Sequence, residues 1–503
     1  MGGCSRDFFM QPVGDSFTSP SPEELAREHP ADALRADLDR LVALHEEACP
    51  DPYMRSSKES IRATCERLKA SITGPLTRSR FVPLVMELQA AYGVDHICHS
   101  VSRDDLLPAI KAGERLLPFR AAPSDDHGTT VLAVGAVSGA ETQLEPGDLV
   151  RRVGPLSAAD LVARMRALVP AESERFQGMR MRQSFRALAW AAGVTLPAEI
   201  ELTRGAERMV VTVTGVADDT RKDERIATPA TATASAAAPT SDVLAESGAY
   251  RCTLLEGGIA YIDFPTMQAA LRPAWNAFLV DAINAANARG AIGLVVDIRR
   301  NGGGDSQLGD DLFAHLTDRP YRMAGGLSWR KSDAGYDSLS RSVKPQWRWL
   351  LPVLMPFVAE EYQSIKNGDD LVASSEPEAV TRIAPAFDGP TALLIGEGTF
   401  SSAMMVADAA RTYDLMTTIG QPTGGLPTSL GELGFTELPE SRIIVQFCQK
   451  KFLRASGDPA DNGPVVPHIA VVDSPTARAA GDDATLRRAV EELKARHAAS
   501  STS

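Results

Sequence analysis

Two glycine-marked stretches and one pair of histidines could do chemistry together in this chain. Ser401 follows Thr391-Ala-Leu-Leu-Ile-Gly396-Glu-Gly398-Thr399-Phe400, one step past an apolar, β-branched run that breaks at glycine. Such a run reads as a buried strand, and the small residues after it can start a helix, which exposes a hydroxyl on the turn. A serine hydroxyl is a weak nucleophile until a base takes its proton, and the oxyanion that follows needs N–H donors. The second stretch, Asp297-Ile-Arg299-Arg-Asn301-Gly302-Gly303-Gly304, ends another apolar run and can offer the Gly303 or Gly304 N–H opposite that of Ser402. Strand ends of this kind are where open α/β sheets bind ligands. For the base, the chain holds only eight histidines, and two of them, His96 and His99, share the turn Tyr92-Gly-Val-Asp95-His96-Ile97-Cys98-His99-Ser100 directly after a helical pattern.

The elements around these residues predict a multidomain α+β chain. Residues 1–20 lack periodicity and read as disordered. Residues 21–115 form a helical domain: Ser21-Pro-Glu-Glu is a helix start, Leu34, Leu38, Leu41, Val42 and Leu44 recur at helical spacing, and two more helices span 57–72 and 77–91. Residues 116–216 form a β-rich module, with a strand at Val131–Val137, a turn and strand from Leu144, a helix over 157–168 and a hairpin across Arg204-Gly-Ala. The Ala/Thr/Ser/Pro-rich stretch 217–246 cannot pack a core and reads as a linker. The main α/β domain, 247–480, starts with Gly258-Ile-Ala-Tyr-Ile-Asp-Phe and a crossover helix from Trp275 to Arg289. Within it, 320–387 is an aromatic-rich insertion (Trp329, Tyr336, Trp347, Trp349, Phe357, Tyr362) suited to cap a site, and 481–503 is a C-terminal helix and tail.

Composition narrows the function classes. The chain has 503 residues, 44% of them hydrophobic, enough for two or three well-buried domains. A net charge of −13 argues against a nucleic-acid partner. No apolar run approaches a transmembrane helix, and no charged-then-apolar leader opens the sequence. Met1-Gly-Gly-Cys4 lacks the Ser or Thr that a myristoylation signal places sixth. The six cysteines are scattered without metal or disulfide spacing and read as buried free thiols. No metal or cofactor is needed, and neither compartment nor oligomeric state can be read from the sequence.

Three segments together carry a resemblance. Asp297-Ile-Arg-Arg-Asn301-Gly-Gly-Gly304 resembles the D-L-R-x-N-x-G-G strand end of the tail-specific, or C-terminal-processing, serine peptidases. Gly398-Thr-Phe-Ser401-Ser-Ala is similar to their nucleophile turn, and Ile419-Gly-Gln-Pro-Thr-Gly-Gly425 to the I-G-x-P-T-x-G segment after it. The resemblance covers roughly 30–475. It implies a C-terminal α/β peptidase domain of the crotonase-like or ClpP-like kind, a nucleophilic Ser401, an oxyanion hole from Gly303, Gly304 and Ser402, and peptides or unfolded proteins as substrates. Leu144-Glu-Pro-Gly-Asp148-Leu-Val before a helix resembles a PDZ domain, a degenerate one, since the G-L-G-F carboxylate loop is not visible. The family's base lysine is missing: Leu426 stands at its position, and no lysine lies between Ser401 and Lys450. The tricorn-like branch instead takes a histidine from a D-G-H-S/T segment after an N-terminal helix, which implies His99, followed by Ser100. A gapless count from the helix implies His96 instead. That branch orients its histidine with the acid of an E-N-x-G-V-x-P-D motif. Asp461-Asn462-Gly-Pro-Val465-Val-Pro467-His468 is similar to it and implies Asp461, although Asp-Asn-Gly is also a strong turn former.

The first reading is therefore a serine peptidase with Ser401, His99 and Asp461 as its triad. The second is a catalytically decayed, apolar-ligand or peptide-binding relative, and the third an esterase or amidase on small substrates.

Overall fold

The computed structural model describes residues 16–138, 143–217, 224–226, 242–350, 353, 368–472 and 481–500. Most of the stretch 1–20 read as disordered (its residues 1–15), most of the linker (218–223 and 227–241), the Phe357 and Tyr362 part of the insertion, and the last three residues lie outside them. The chain divides into two compact units, each built from separate stretches. One comprises residues 1–227, 328–372 and 430–451; the other comprises 228–327, 373–429 and 452–503. The insertion is thus shared between the units. The fold is mixed α/β with several sheets.

The first unit opens with helices whose starts were legible. Helix α1 (Pro22–Ala26) has the Ser21/Glu24 capping box, and α2 (Ala31–Ala48), α3 (Lys58–Ser71) and α4 (Arg78–Ala90) follow the predicted spans. Leu34, Leu38, Leu41 and Leu44 of α2 are fully buried beside Phe81, Val85 and Leu88 of α4. Helix α5 (Arg103–Lys111) is capped by Ser102, whose hydroxyl accepts from Asp105 N–H while the Asp105 carboxylate accepts from Ser102 N–H. The β-rich part runs β1 (Phe119–Asp126), β2 (Thr129–Ser138), β3 (Leu149–Val153), β4 (Ala198–Arg204) and β5 (Glu207–Val213), paired antiparallel in that order. Between β3 and β4 lie α6 (Ala158–Ala167), α7 (Glu174–Gln183) and α8 (Phe185–Ala191), the last two not predicted. Within the stretch read as a linker, β6 (Glu224–Ile226) pairs with β2. Late in the chain, the strands Ser429–Glu437 and Ile444–Leu453 bring Leu438, Val445 and Phe447 into the core that holds α2 and α4.

The second unit is organised by a seven-stranded sheet: β7 (Asp242–Ser247), β8 (Tyr250–Leu255), β9 (Ile259–Asp263), β10 (Gly293–Asp297), β11 (Thr391–Ile395), β12 (Thr417–Gly420) and β13 (Ile469–Ala470), in that spatial order. The β7–β8–β9 pairings are antiparallel and the rest parallel. Parallel neighbours need crossover helices, and α9 (Arg272–Ala288) joins β9 to β10 as the sequence predicted. Alternation along the strands feeds two faces. Leu294, Val296, Leu393 and Ile395 pack with α9, α10 (Gln307–Ala314) and α11 (Ser402–Thr412), whereas Val295, Ala392 and Leu394 face Ala489 and Leu493 of the C-terminal helix α12 (Ala484–Ser500). With both faces covered, the parallel strands read as continuous apolar runs. The five described cysteines are buried and free. No described helix is long and apolar enough to cross a membrane.

Candidate active site

Adjacent strands β10 and β11 end side by side in the second unit, which brings both glycine-marked turns together. Ser401 caps α11 with φ 53° and ψ −128°, a backbone state that non-glycine residues rarely adopt and that costs on the order of 1–3 kcal/mol. Its neighbours hold it there. Thr399 Oγ1 donates to Ile298 O (2.9 Å) and accepts from Gly396 N–H (3.1 Å), while Phe400 N–H donates to Asn301 O (3.1 Å). The glycine turn is pressed onto this bend: a Cβ on Gly303, at φ 91°, would stand 2.6 Å from Ser401 Cβ and 2.7 Å from Ser402 N. Ser402 Oγ donates to Gly304 O (2.6 Å), tying the two turns a second time.

The donors sort themselves out. Gly303 N–H is spent on Asn301 Oδ1 (2.9 Å), which removes it from the expected oxyanion pair. Among the described residues no acceptor meets the N–H of Gly304 or of Ser402. Gly304 bridges Met267 in parallel register through the flanking Gly303 O and Asp305 N, so its own N–H and C=O point to the opposite side. That is the side on which its carbonyl takes the Ser402 hydroxyl.

Below the turns, Arg299 anchors the strand end between Asp297 (2.6 Å) and Asp483 (2.7 Å) at the start of α12. Burial alone would raise the Asp297 carboxyl, but the Arg299 guanidinium and its hydrogen bonds bring it below the usual range. Further along α11, Asp408 is fully buried and accepts from Arg454 Nη2 (2.7 Å) and Ala455 N–H (2.6 Å). The same Arg454 forms an ion pair with Asp461, whose side chain is 52% exposed and whose Oδ1 accepts Gly463 N–H (3.3 Å) within the Asp-Asn-Gly turn. The structure therefore gives Asp461 a guanidinium and its own turn as partners. His468 is held at both ring nitrogens, Nδ1 by Thr418 N–H (3.0 Å) and Nε2 against Asp414 (3.0 Å), a structural placement beside β12.

The two histidines belong to the first unit and differ sharply. His99 Nε2 lies 3.0 Å from Asp105 Oδ2. Asp105, fully buried, also meets Arg78 Nε (2.8 Å) and the Ser102 hydroxyl (2.7 Å). Burial would raise this carboxyl, but the His99 bond and charge, with Arg78 behind them, hold it well below the usual range. In the sequence Asp105 is marked only by the Ser102-x-x-Asp105 capping spacing. His96 is buried, with its imidazole pushed down to about 4 by burial and further by the Arg180 charge. Among the described residues one set of possible metal ligands, Asp39, Cys65 and Glu66, lies in the first unit, and the Lys69 ammonium already bonds both carboxylates at 2.9 Å.

The model of peptidase family S41 matches residues 258–471. Those residues are a peptidase family S41 domain. The class of that domain is serine-type peptidase. The S41 span runs from the residue before β9 to the residue after β13, and so contains both glycine turns and Asp461. Among solved structures the chain is similar to mature CPAF, at 14% identity and a TM-score of 0.60, with 93% of this chain and 98% of that one covered. A serine-to-alanine mutant of CPAF gives 14% identity and a TM-score of 0.64 over the same shares. Mature CPAF complexed with lactacystin gives 14% and 0.59, covering 92% and 98%. At that identity the likeness concerns the fold. No curated protein sequence matches the chain.

Proposed function

We propose that this protein hydrolyses peptide bonds through an acyl-enzyme on Ser401. The observation that carries the reading is the strained Ser401 backbone at a strand-to-helix turn, with a glycine turn packed on it and two N–H groups that meet no acceptor among the described residues. A nucleophile on such a bend projects its hydroxyl clear of the sheet. In the reaction the Ser401 hydroxyl loses its proton to a histidine and attacks the scissile carbonyl. Ser402 N–H and Gly304 N–H then receive the oxyanion, and the histidine returns the proton to the leaving amine. Water repeats the sequence on the acyl-enzyme.

His99 is the base in this reading. With Nε2 facing the ionised Asp105, Nδ1 is the nitrogen left to accept a proton. Two carboxylates compete for the role of orienting it: Asp461, which the family resemblance implies, and Asp105, which supports His99 at 3.0 Å. The β1–β5 part of the first unit, with Leu144-Glu-Pro-Gly-Asp148 entering β3, is a degenerate PDZ-like module that would present unstructured substrate. The helices α2–α4 form the N-terminal bundle.

A serine-directed phosphonate tests the nucleophile. It should label Ser401 in the wild-type protein, and Ser401→Ala should lose both labelling and hydrolysis of an unstructured peptide while melting at the same temperature. Hydrolysis retained by the purified Ser401→Ala protein would overturn the reading. Asp461→Asn and Asp105→Asn, compared for turnover, decide the orienting acid.

A further inference from the structure

Asn301 touches no reacting atom, yet every polar group it owns is hydrogen-bonded to backbone around the site. The residue is fully buried. Its Nδ2 donates to Phe264 O (2.8 Å), just past β9, and its Oδ1 accepts Gly303 N–H (2.9 Å). Its main-chain carbonyl accepts the N–H of Phe400, the residue before Ser401, and its own N–H donates to Ile298 O (3.0 Å). A side-chain amide fits this pair of contacts in one orientation only, because the carbonyl must meet a donor and the NH₂ an acceptor.

The turn needs such a clamp. Three consecutive glycines have more backbone freedom than any other tripeptide, and Gly303 and Gly304 sit at φ 91° and 138°. Oxyanion donors act by being fixed before charge develops, so freedom at Gly304 would be lost catalysis. The Gly303 contact with Ser401 and Ser402 leaves no room for slack, and any drift of the glycine turn would move the nucleophile with it. A hydrogen-bonded asparagine reaching three separate backbone segments restrains that drift.

We infer that Asn301 is a positioning residue for the reaction: its side chain fixes the Gly302–Gly304 turn, and its carbonyl fixes Phe400, so that Gly304 N–H and Ser401 stand in register for the tetrahedral oxyanion. This rests on Ser401 being the nucleophile. It adds a residue that neither binds substrate nor moves a proton.

The test compares wild type, Asn301→Ala and Asn301→Asp by kcat and KM on an unstructured peptide. Two inhibitors of the same sequence are added: a peptide boronate, which forms a tetrahedral anion on the serine, and a reduced-amide peptide, which binds without one. Asn301→Ala should lower kcat by roughly 10²–10³-fold, the scale of a lost oxyanion donor, with KM changed less than about threefold. Boronate affinity should fall in parallel while reduced-amide affinity stays at the wild-type value. Asn301→Asp keeps an acceptor for Gly303 N–H and should recover part of the lost rate. Should Asn301→Ala fail to fold, Ser402→Ala reads the same register, since it removes the hydroxyl tether to Gly304 and keeps its own N–H; its kcat should fall on the order of tenfold, again with boronate affinity. Unchanged kcat and boronate affinity in the Asn301 variants, with wild-type Ser401 labelled by phosphonate, overturn the role of Asn301 alone. Equal weakening of both inhibitors marks Asn301 as a purely structural residue and overturns it too. An unlabelled Ser401 in the wild type brings down the nucleophile and this inference together.

Discussion

The Ser401 turn and the histidine loop are made rigid by opposite means. Around Ser401 the work is done by backbone: glycines at positive φ, a serine in a strained conformation, and main-chain hydrogen bonds from Phe400 and Gly303 into Asn301. Around His99 it is done by buried charge: Asp105 with no exposure, a guanidinium from α4 at 2.8 Å, and a helix cap at 2.7–2.8 Å. A backbone device fixes N–H groups where an oxyanion will form. A charged device fixes a protonation state. A hydrolase that must both receive an anion and move a proton has use for each, and each breaks in its own way.

The comparison yields four tests, from the largest expected effect to the smallest. Gly303→Ala should be the most destructive change in the backbone device, because its Cβ would meet Ser401 Cβ at 2.6 Å at φ 91°. Hydrolysis should drop to background and phosphonate labelling of Ser401 with it; normal labelling would mean that the turn yields. Asp105→Asn attacks the charged device and should cost turnover as much as roughly 10⁴-fold, as loss of a triad aspartate can. It also leaves the buried Arg78 without its carboxylate, so about 3–5 kcal/mol of stability should go with it in urea unfolding. Asp461→Asn provides the contrast: if Asp105 orients His99, turnover stays within about threefold and stability within about 1 kcal/mol. A crippled Asp461→Asn beside an active Asp105→Asn would restore Asp461 as the acid. Third, His99→Ala should reduce turnover more than His96→Ala; the reverse would move the base to His96 and leave the backbone device standing.

The smallest effect is on stability against pH. His45 and His96 are buried and neutral, their imidazoles pushed by burial to about 3 and about 4. An unfolded histidine binds its proton near 6.5, so between about pH 6.5 and 4 the unfolded state holds protons that the folded state refuses. Their contribution is complete above that window and is lost as pH falls through it. The melting temperature should therefore decline on acidification from pH 7 to 4.5, and His45→Leu should flatten the decline. An unaltered slope in that variant would show that His45 is not held neutral.

What could be read in the sequence follows the same division. The Ser401 turn, the glycine turn and their adjacency were legible because special backbone is written in residue types: glycines at a strand end, small residues into a helix. The helices from Ala31 to Ala90 were legible through period and caps. The choice between the Gly303 and Gly304 N–H is not legible, because nothing in a one-dimensional pattern shows that Asn301 takes the first. Asp105 was missed for a related reason. Its partner Arg78 lies 27 residues away and on another helix, and charge pairing over such distances leaves no local trace. The ion pair of Asp461 with Arg454 is equally illegible, since Arg454 is held by the buried Asp408, which joins α11 to a residue 46 positions on.

The broken-up first unit bears on how the protein is made. Leu430, Leu438, Ile443, Val445 and Phe447 share one core with Leu34, Phe81 and Leu88, so the N-terminal helices, which bury apolar residues against one another early, complete that core only once the segment 430–451 has been made. Until then the growing chain exposes a surface meant to be buried, and closing contacts of such long range slows folding and favours aggregation. Any piece of the chain ending before residue 430 should accordingly be a client for chaperones, and the N-terminal helices should be its stickiest part.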